Sequence, residues 1–168
     1  MDLPIPRALR AEHQELHREL RRLTQAGGRV GDAARHVAEL LHPHFAREED
    51  WALPPLGALA RLAQGPVTAD LAPLLARAER LRAELPRMLE DHRRVVEALR
   101  ALKAAARAAR HADALAFADR LRHHAEVEEQ VLYPAAVLVG EYLRACLGAS
   151  GPAGGPAAPR TGGPSGAP

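Results

Sequence analysis

Two stretches of this chain set a histidine and a glutamate four residues apart: His44-x3-Glu48 in HFAREEDWALP and His124-x3-Glu128 in HAEVEEQVLYP. On an α-helix that spacing puts both side chains on one face, about 40° apart and about 6 Å apart along the axis. Such a pair can reach one metal ion or two adjacent ones. In a chain with nine histidines, a single pair carries little weight. The frame around the pairs carries more, because each continues as Glu-Glu and meets a proline ten residues after its histidine. The pairs are offset by 80 residues (124 minus 44), and at an offset of 79 (92 minus 13) His92 in EDHRRVVEAL repeats His13 in AEHQELHREL.

The chain thus reads as two helix-pair repeats, each giving one histidine from its first helix and a histidine with a glutamate from its second. Two-fold pseudosymmetry would gather His13, His44, Glu48, His92, His124 and Glu128. Burying two carboxylates and four imidazoles without partners would cost several kcal/mol per charge, which a marginally stable domain cannot absorb. A cation removes the difficulty. Nitrogen and oxygen donors without sulfur suit iron, manganese or zinc, and two facing carboxylates can bridge two cations.

The elements that must position these groups follow from apolar periodicity. Leu9, His13, Leu16, Leu20 and Leu23 predict a first helix from about residue 7 to the break at Gly27-Gly28. A second, with Asp32 as its N-cap, carries Val37, Leu40, Leu41, His44, Phe45 and Glu48 inward and ends near Pro54-Pro55. After a short apolar stretch, Thr68 caps a long helical pattern to about Ala109, in which Pro86 predicts a kink or a break. Its inner stripe holds Met88, His92, Val95, Val96, Leu99 and Leu102. Asp113 is the expected cap of a fourth helix, with Leu115, Phe117, Leu121, His124, Glu128, Val131 and Leu132 inward before Tyr133-Pro134, and a brief helix to Leu147 follows. The expected fold is all-α: a four-helix bundle over residues 1–147 with extra short helices. Residues 148–168 are nearly all Gly, Ala, Pro and Ser and are expected to be a disordered tail.

Neighbouring residues compete for places. His17 lies one turn after His13, but Val96 is its counterpart, so His17 is expected at the surface or behind a ligand. His42 sits about 200° around the helix from His44 and cannot also point inward. His123 and His124 contend for one position, and the apolar stripe selects His124. Glu12 and Asp91 each precede an expected ligand, placed either to take a proton from an imidazole or to stay in water. Trp51 and Tyr133 flank the prolines and are expected to cap the bundle end.

Composition narrows the function classes. A net charge of +2, with Arg interleaved among Glu and Asp, gives no basic block for nucleic acid. One cysteine allows neither an internal disulfide nor a sulfur-based zinc site. The N-terminal stretch lacks an apolar signal core and no apolar run is long enough to span a membrane, so the expectation is a soluble, cytoplasmic protein without a membrane partner.

The paired H-x3-E-E-x4-P blocks, with His13 and His92 upstream, resemble the hemerythrin-like (HHE cation-binding) family over roughly residues 7 to 145. The resemblance implies a bundle around a non-haem di-iron centre, two iron ions with manganese or zinc as alternatives. His13, His44, His92 and His124 would be terminal ligands and Glu48 and Glu128 bridges. It also implies a small diatomic or peroxide ligand: oxygen, nitric oxide or hydrogen peroxide. The chain departs from the oxygen carriers of the family, which place a histidine where Val96 stands and use an H-x4-D spacing that would select Glu129 instead. Its four-His, two-Glu set is closer to the hemerythrin domain of iron-centre repair proteins, whose additional cysteine-bearing N-terminal domain is not expected here. Binding and sensing, a peroxide- or nitric-oxide-consuming enzyme, an iron-responsive interaction module and a helical scaffold all remain open at this stage. No protein partner is legible.

Overall fold

The computed structural model describes residues 5–149. The expected tail lies outside them, except for Gly148 and Ala149, which belong to the last helix. All regular structure among the described residues is helical, as the composition predicts.

Helix α1 (Arg7–Thr24) buries His13, Leu16, Leu20 and Leu23 on one stripe. The chain reverses through Gly27 and Gly28, whose φ angles of 68° and 55° lie in the left-handed region that glycine occupies at least cost. Helix α2 (Gly28–Arg47) begins there directly. Asp32 is therefore inside the helix and not its cap, and it pairs with Arg35 on the surface. After Arg47 comes one wide π turn, Glu48–Ala52, in which the Leu53 N–H donates to the Glu48 carbonyl five residues back at 2.9 Å. A 3-10 turn (Pro54–Ala58), the short α3 (Leu59–Leu62) and a second 3-10 turn (Ala69–Leu71) lead on to α4. Thr68 stands in extended backbone before that turn, but its hydroxyl is engaged with Arg61 and Asp70 and caps no N–H.

Helix α4 (Ala72–Ala109) runs unbroken for 38 residues through Pro86. An interior proline costs about 3 kcal/mol. Buried Leu74, Ala78 and Leu81 before it and Met88, Val95, Leu99 and Leu102 after it hold both halves against neighbours, and their burial outweighs that cost. Helix α4 ends on Arg110 in the left-handed conformation. Helix α5 (Ala112–Val127) is capped by His111, whose ring nitrogen accepts from the Ala114 N–H at 3.3 Å, and not by Asp113.

The fourth helix was expected to stop before Tyr133-Pro134, with only a brief helix after it. Instead α5 passes through a second π turn, Glu128–Leu132, straight into α6 (Tyr133–Ala149). In that turn the Tyr133 N–H reaches the Glu128 carbonyl, the same connection as in the first repeat. Pro134 then falls at the second position of α6, where the ladder is already rearranged and few bonds are left to lose. The wider turn also re-aims the face beyond it. Val131, expected inward, is 56% exposed, and Tyr133 is fully buried.

Helices α1, α2, α4 and α5 make the bundle, with α6 packed along the first half of α4. One apolar cluster joins Leu20, Val37, Leu41, Phe45, Leu99, Leu102, Phe117 and Leu121 from the four bundle helices. A second joins Ile5, Trp51, Leu53, Met88, Tyr133 and Ala136. Chain order puts the expected ligands between them: Met88, His92 and Val95 on α4, and Leu9, His13 and Leu16 on α1. The stretch Ala112–Gly148 is long and apolar enough to cross a membrane by length and composition. That alone does not make it a span, because it turns His124 and Glu128 into the core and pairs Glu141 with Arg82 of α4.

Candidate metal centre

Each repeat aims its groups with the same device. His13 projects from α1 and His92 from α4, His44 and His124 from the last turns of α2 and α5, and Glu48 and Glu128 open the two π turns. All six are at most 3% exposed, and among the described residues they are the buried polar or charged side chains. The structure thus brings together all six positions singled out from the sequence.

Their geometry splits each carboxylate between two histidine pairs. Glu48 Oε1 is 3.2 Å from His44 Nε2, while its Oε2 is 3.8 Å from His13 Nε2. Glu128 Oε1 is 3.0 Å from His124 Nε2 and 3.5 Å from His13 Nε2, and its Oε2 is 3.3 Å from His92 Nε2. Two tetrads result: His13, His124, Glu48 and Glu128 in one, and His44, His92, Glu48 and Glu128 in the other. Within each, the donor atoms all lie within 4.8 Å of one another. The two carboxylates belong to both tetrads.

Close approach is not matched by hydrogen bonding. His13 Nε2, His124 Nε2, Glu48 Oε2 and both Glu128 oxygens are buried without a hydrogen-bond partner. Native proteins rarely leave such atoms orphaned, and lone pairs converging from imidazole and carboxylate are what a cation needs. The donor set fits a metal.

Every inner nitrogen is an Nε2, so each ring turns its Nδ1 outward, and each Nδ1 faces an acid. His13 Nδ1 is 3.4 Å from Glu49, His92 Nδ1 2.9 Å from Glu129, His124 Nδ1 3.2 Å from Glu12, and His44 Nδ1 3.6 Å from Asp91. Asp91 is also held by Arg47. A carboxylate behind an imidazole fixes its tautomer and orientation and raises its basicity. The repeat extends to these acids, Glu49 matching Glu129 and Glu12 matching Asp91. Glu12 stands within reach of a proton from His124, whereas Asp91 is drawn to Arg47 and leaves His44 Nδ1 without a hydrogen bond. Glu129, the alternative ligand, sits behind His92 and is 40% exposed. Sequence reasoning missed Glu49, although the Glu-Glu doublet in both blocks was the available signal.

Phe45 stacks on His13 at 4.3 Å between ring centroids and closes one side of the site. Tyr133 was expected as an end cap and lies in the site instead. Its hydroxyl donates to Glu48 Oε1 and stands 3.3 Å from His92 Nε2 and 3.5 Å from His44 Nε2. His17 and His42 stack on each other at 5.6 Å outside the two tetrads. Val96 is half-buried on the wall of an open groove between α4 and α5, beside His92 and Glu129.

Charge in the cluster is arranged to hold protons when no metal competes. Burial pulls the His124 imidazole down, but Glu128, Glu48 and Glu12 outweigh it and push its pKa up to about 9. Burial likewise opposes, and the two glutamates overcome it, in raising His13 and His92. Burial favours a neutral Glu128, yet His124, His13 and His92 hold it well below the usual carboxylate range. Burial and both glutamates keep the Tyr133 hydroxyl protonated.

Neither curated proteins nor solved structures give a match to the chain. The hemerythrin HHE cation binding domain matches residues 5–136, a span that contains every residue of both tetrads. The chain therefore belongs to the hemerythrin HHE cation-binding family, and its buried His/Glu cluster is the part of it that fits a cation.

Proposed function

We propose that this protein is a non-haem di-iron protein that binds, senses or reacts with a small molecule such as oxygen, nitric oxide or peroxide. The observation that carries the reading is the sharing of Glu48 and Glu128 between the two histidine pairs. In it His13 and His124 hold one iron, His44 and His92 the other, and both glutamates bridge. Manganese or zinc would satisfy the same donors. Bound iron would supply redox chemistry and open positions for a small ligand. The chain's own residues stack Phe45 on His13 and Tyr133 on His92 and set Glu49 and Glu129 behind those two imidazoles. The groove beside Val96 borders His92.

Anaerobic ferrous reconstitution tests the proposal by counting iron per chain. Two irons at saturation are expected. A plateau at one defeats the shared-carboxylate reading.

Metal uptake also has a predicted pH dependence. A His124 pKa raised from 6.5 to about 9 stabilises the metal-free fold fully below 6.5 and loses that contribution as pH rises through 9. Depression of Glu128 works oppositely, stabilising above its ordinary 4.5 and failing as pH falls below it. A cation needs the neutral imidazole, so uptake near neutral pH should release protons, and affinity should strengthen toward pH 9. Calorimetry in buffers of different ionisation enthalpy measures the release. Proton-neutral binding at neutral pH would contradict the assignment of His124.

A further inference from the structure

Two matching π turns deliver two unlike residues to matching places. Five positions after Glu128 comes Tyr133 and five after Glu48 comes Leu53, each donating its backbone N–H to the carbonyl of that glutamate and each almost fully buried. The repeat is otherwise matched group for group, in ligand positions and in the acids behind them. At this one pair of positions it puts an oxygen donor on one side and a bare hydrocarbon on the other.

The phenol oxygen lies against the donor atoms of a single tetrad. It touches Glu48 Oε1 and stands 3.3 Å from His92 Nε2 and 3.5 Å from His44 Nε2. Its ring stacks on His92 with 5.7 Å between centroids and 18° between planes, which fixes where the oxygen points. An atom so close to three converging donors is itself placed as a donor.

We infer that Tyr133 is a ligand to the metal held by His44, His92, Glu48 and Glu128, so that the two metal positions are chemically distinct. The inference rests on the metal-centre reading above. As the metal takes its place the phenol O–H breaks, the oxygen–metal bond forms, and the proton now held toward Glu48 leaves to water. A cation beside the oxygen favours the phenolate, as metals do for bound water and thiols. The His13/His124 position has only Leu53 in the matching place and keeps one more site free for an incoming small ligand. The asymmetry assigns the oxygen-rich position to one half and the open position to the other.

The test loads the full chain with ferrous iron without oxygen, counts the metal, and oxidises it with ferricyanide. A ferric phenolate gives a charge-transfer band in the visible and tyrosine ring modes in resonance Raman spectra excited within that band. Tyr133→Phe keeps the buried ring and removes only the oxygen. It should abolish the band and the ring modes and weaken one of the two irons, leaving the helical circular dichroism unchanged. Leu53→Phe, a second variant, should keep the band. Iron uptake without the band in the unaltered protein, or a band that survives Tyr133→Phe, overturns this inference and leaves the metal-centre reading standing. A chain that takes up no iron overturns both.

Discussion

Loading with iron should raise the melting temperature by roughly 10–20 °C. A ligand bound only to the folded state at about 1,000 times its dissociation constant adds about 4 kcal/mol, and each kcal/mol moves a domain of this size by several degrees. The direction follows from six buried groups, of which His13, His124, Glu48 and Glu128 hold inward atoms without hydrogen-bond partners. The size follows from their partial compensation without metal. Imidazoles charged by their neighbours answer Glu128, so the metal-free bundle still folds, but without the coordination that satisfies the remaining lone pairs. Differential scanning calorimetry on chelated and reloaded protein measures the shift. Superimposable melts would make the cluster incidental to a helical scaffold.

The sequence carried the polar layer well and the turns poorly, for physical reasons visible in single residues. His13, His44, His92 and His124 sit in apolar stripes of period 3.6, and a histidine among leucines on such a stripe has nowhere to go but inward. The stripe selects His124 over His123, the helical angle turns His42 away and the repeat leaves His17 out; the structure holds all three outside the two tetrads. What periodicity could not report was a change in the period itself. The π turn that begins at Glu128 moves Val131 out and Tyr133 in, and local propensity does not announce such a turn. Pro134, the strongest local stop signal, was read as an end because its missing N–H is costly only in a regular ladder. Caps failed similarly: Asp32 and Asp113 are good cap residues, but the left-handed Gly27-Gly28 pair and the ring of His111 had already started those helices. Pro86 does not break α4, which is buried on both sides of it.

Adjacent glutamates give the sharpest test of register in the metal reading. Glu128 divides its oxygens between His124 and His13 on one side and His92 on the other, whereas Glu129 touches only the outer nitrogen of His92. Glu128→Gln leaves one oxygen and puts an amide NH2, which cannot ligate, in the other place. One bridge is lost to both positions, and iron at saturation should fall from two per chain to one or fewer. Glu48→Gln should behave alike, because the repeat gives it the same division. Glu129→Gln should keep both irons and weaken only one, about 10–100-fold, the usual cost of losing a partner behind a ligating histidine. Chelator competition followed by iron counting separates the three variants. If Glu129→Gln emptied a position while Glu128→Gln still held two irons, the bridging role would belong one residue later, as in the H-x4-D spacing of the oxygen carriers. The contacts argue against that outcome, since Glu129 is 40% exposed and Glu128 is 1% exposed. A carboxylate in water is already solvated, whereas one in the core with unpartnered oxygens gains more from a cation.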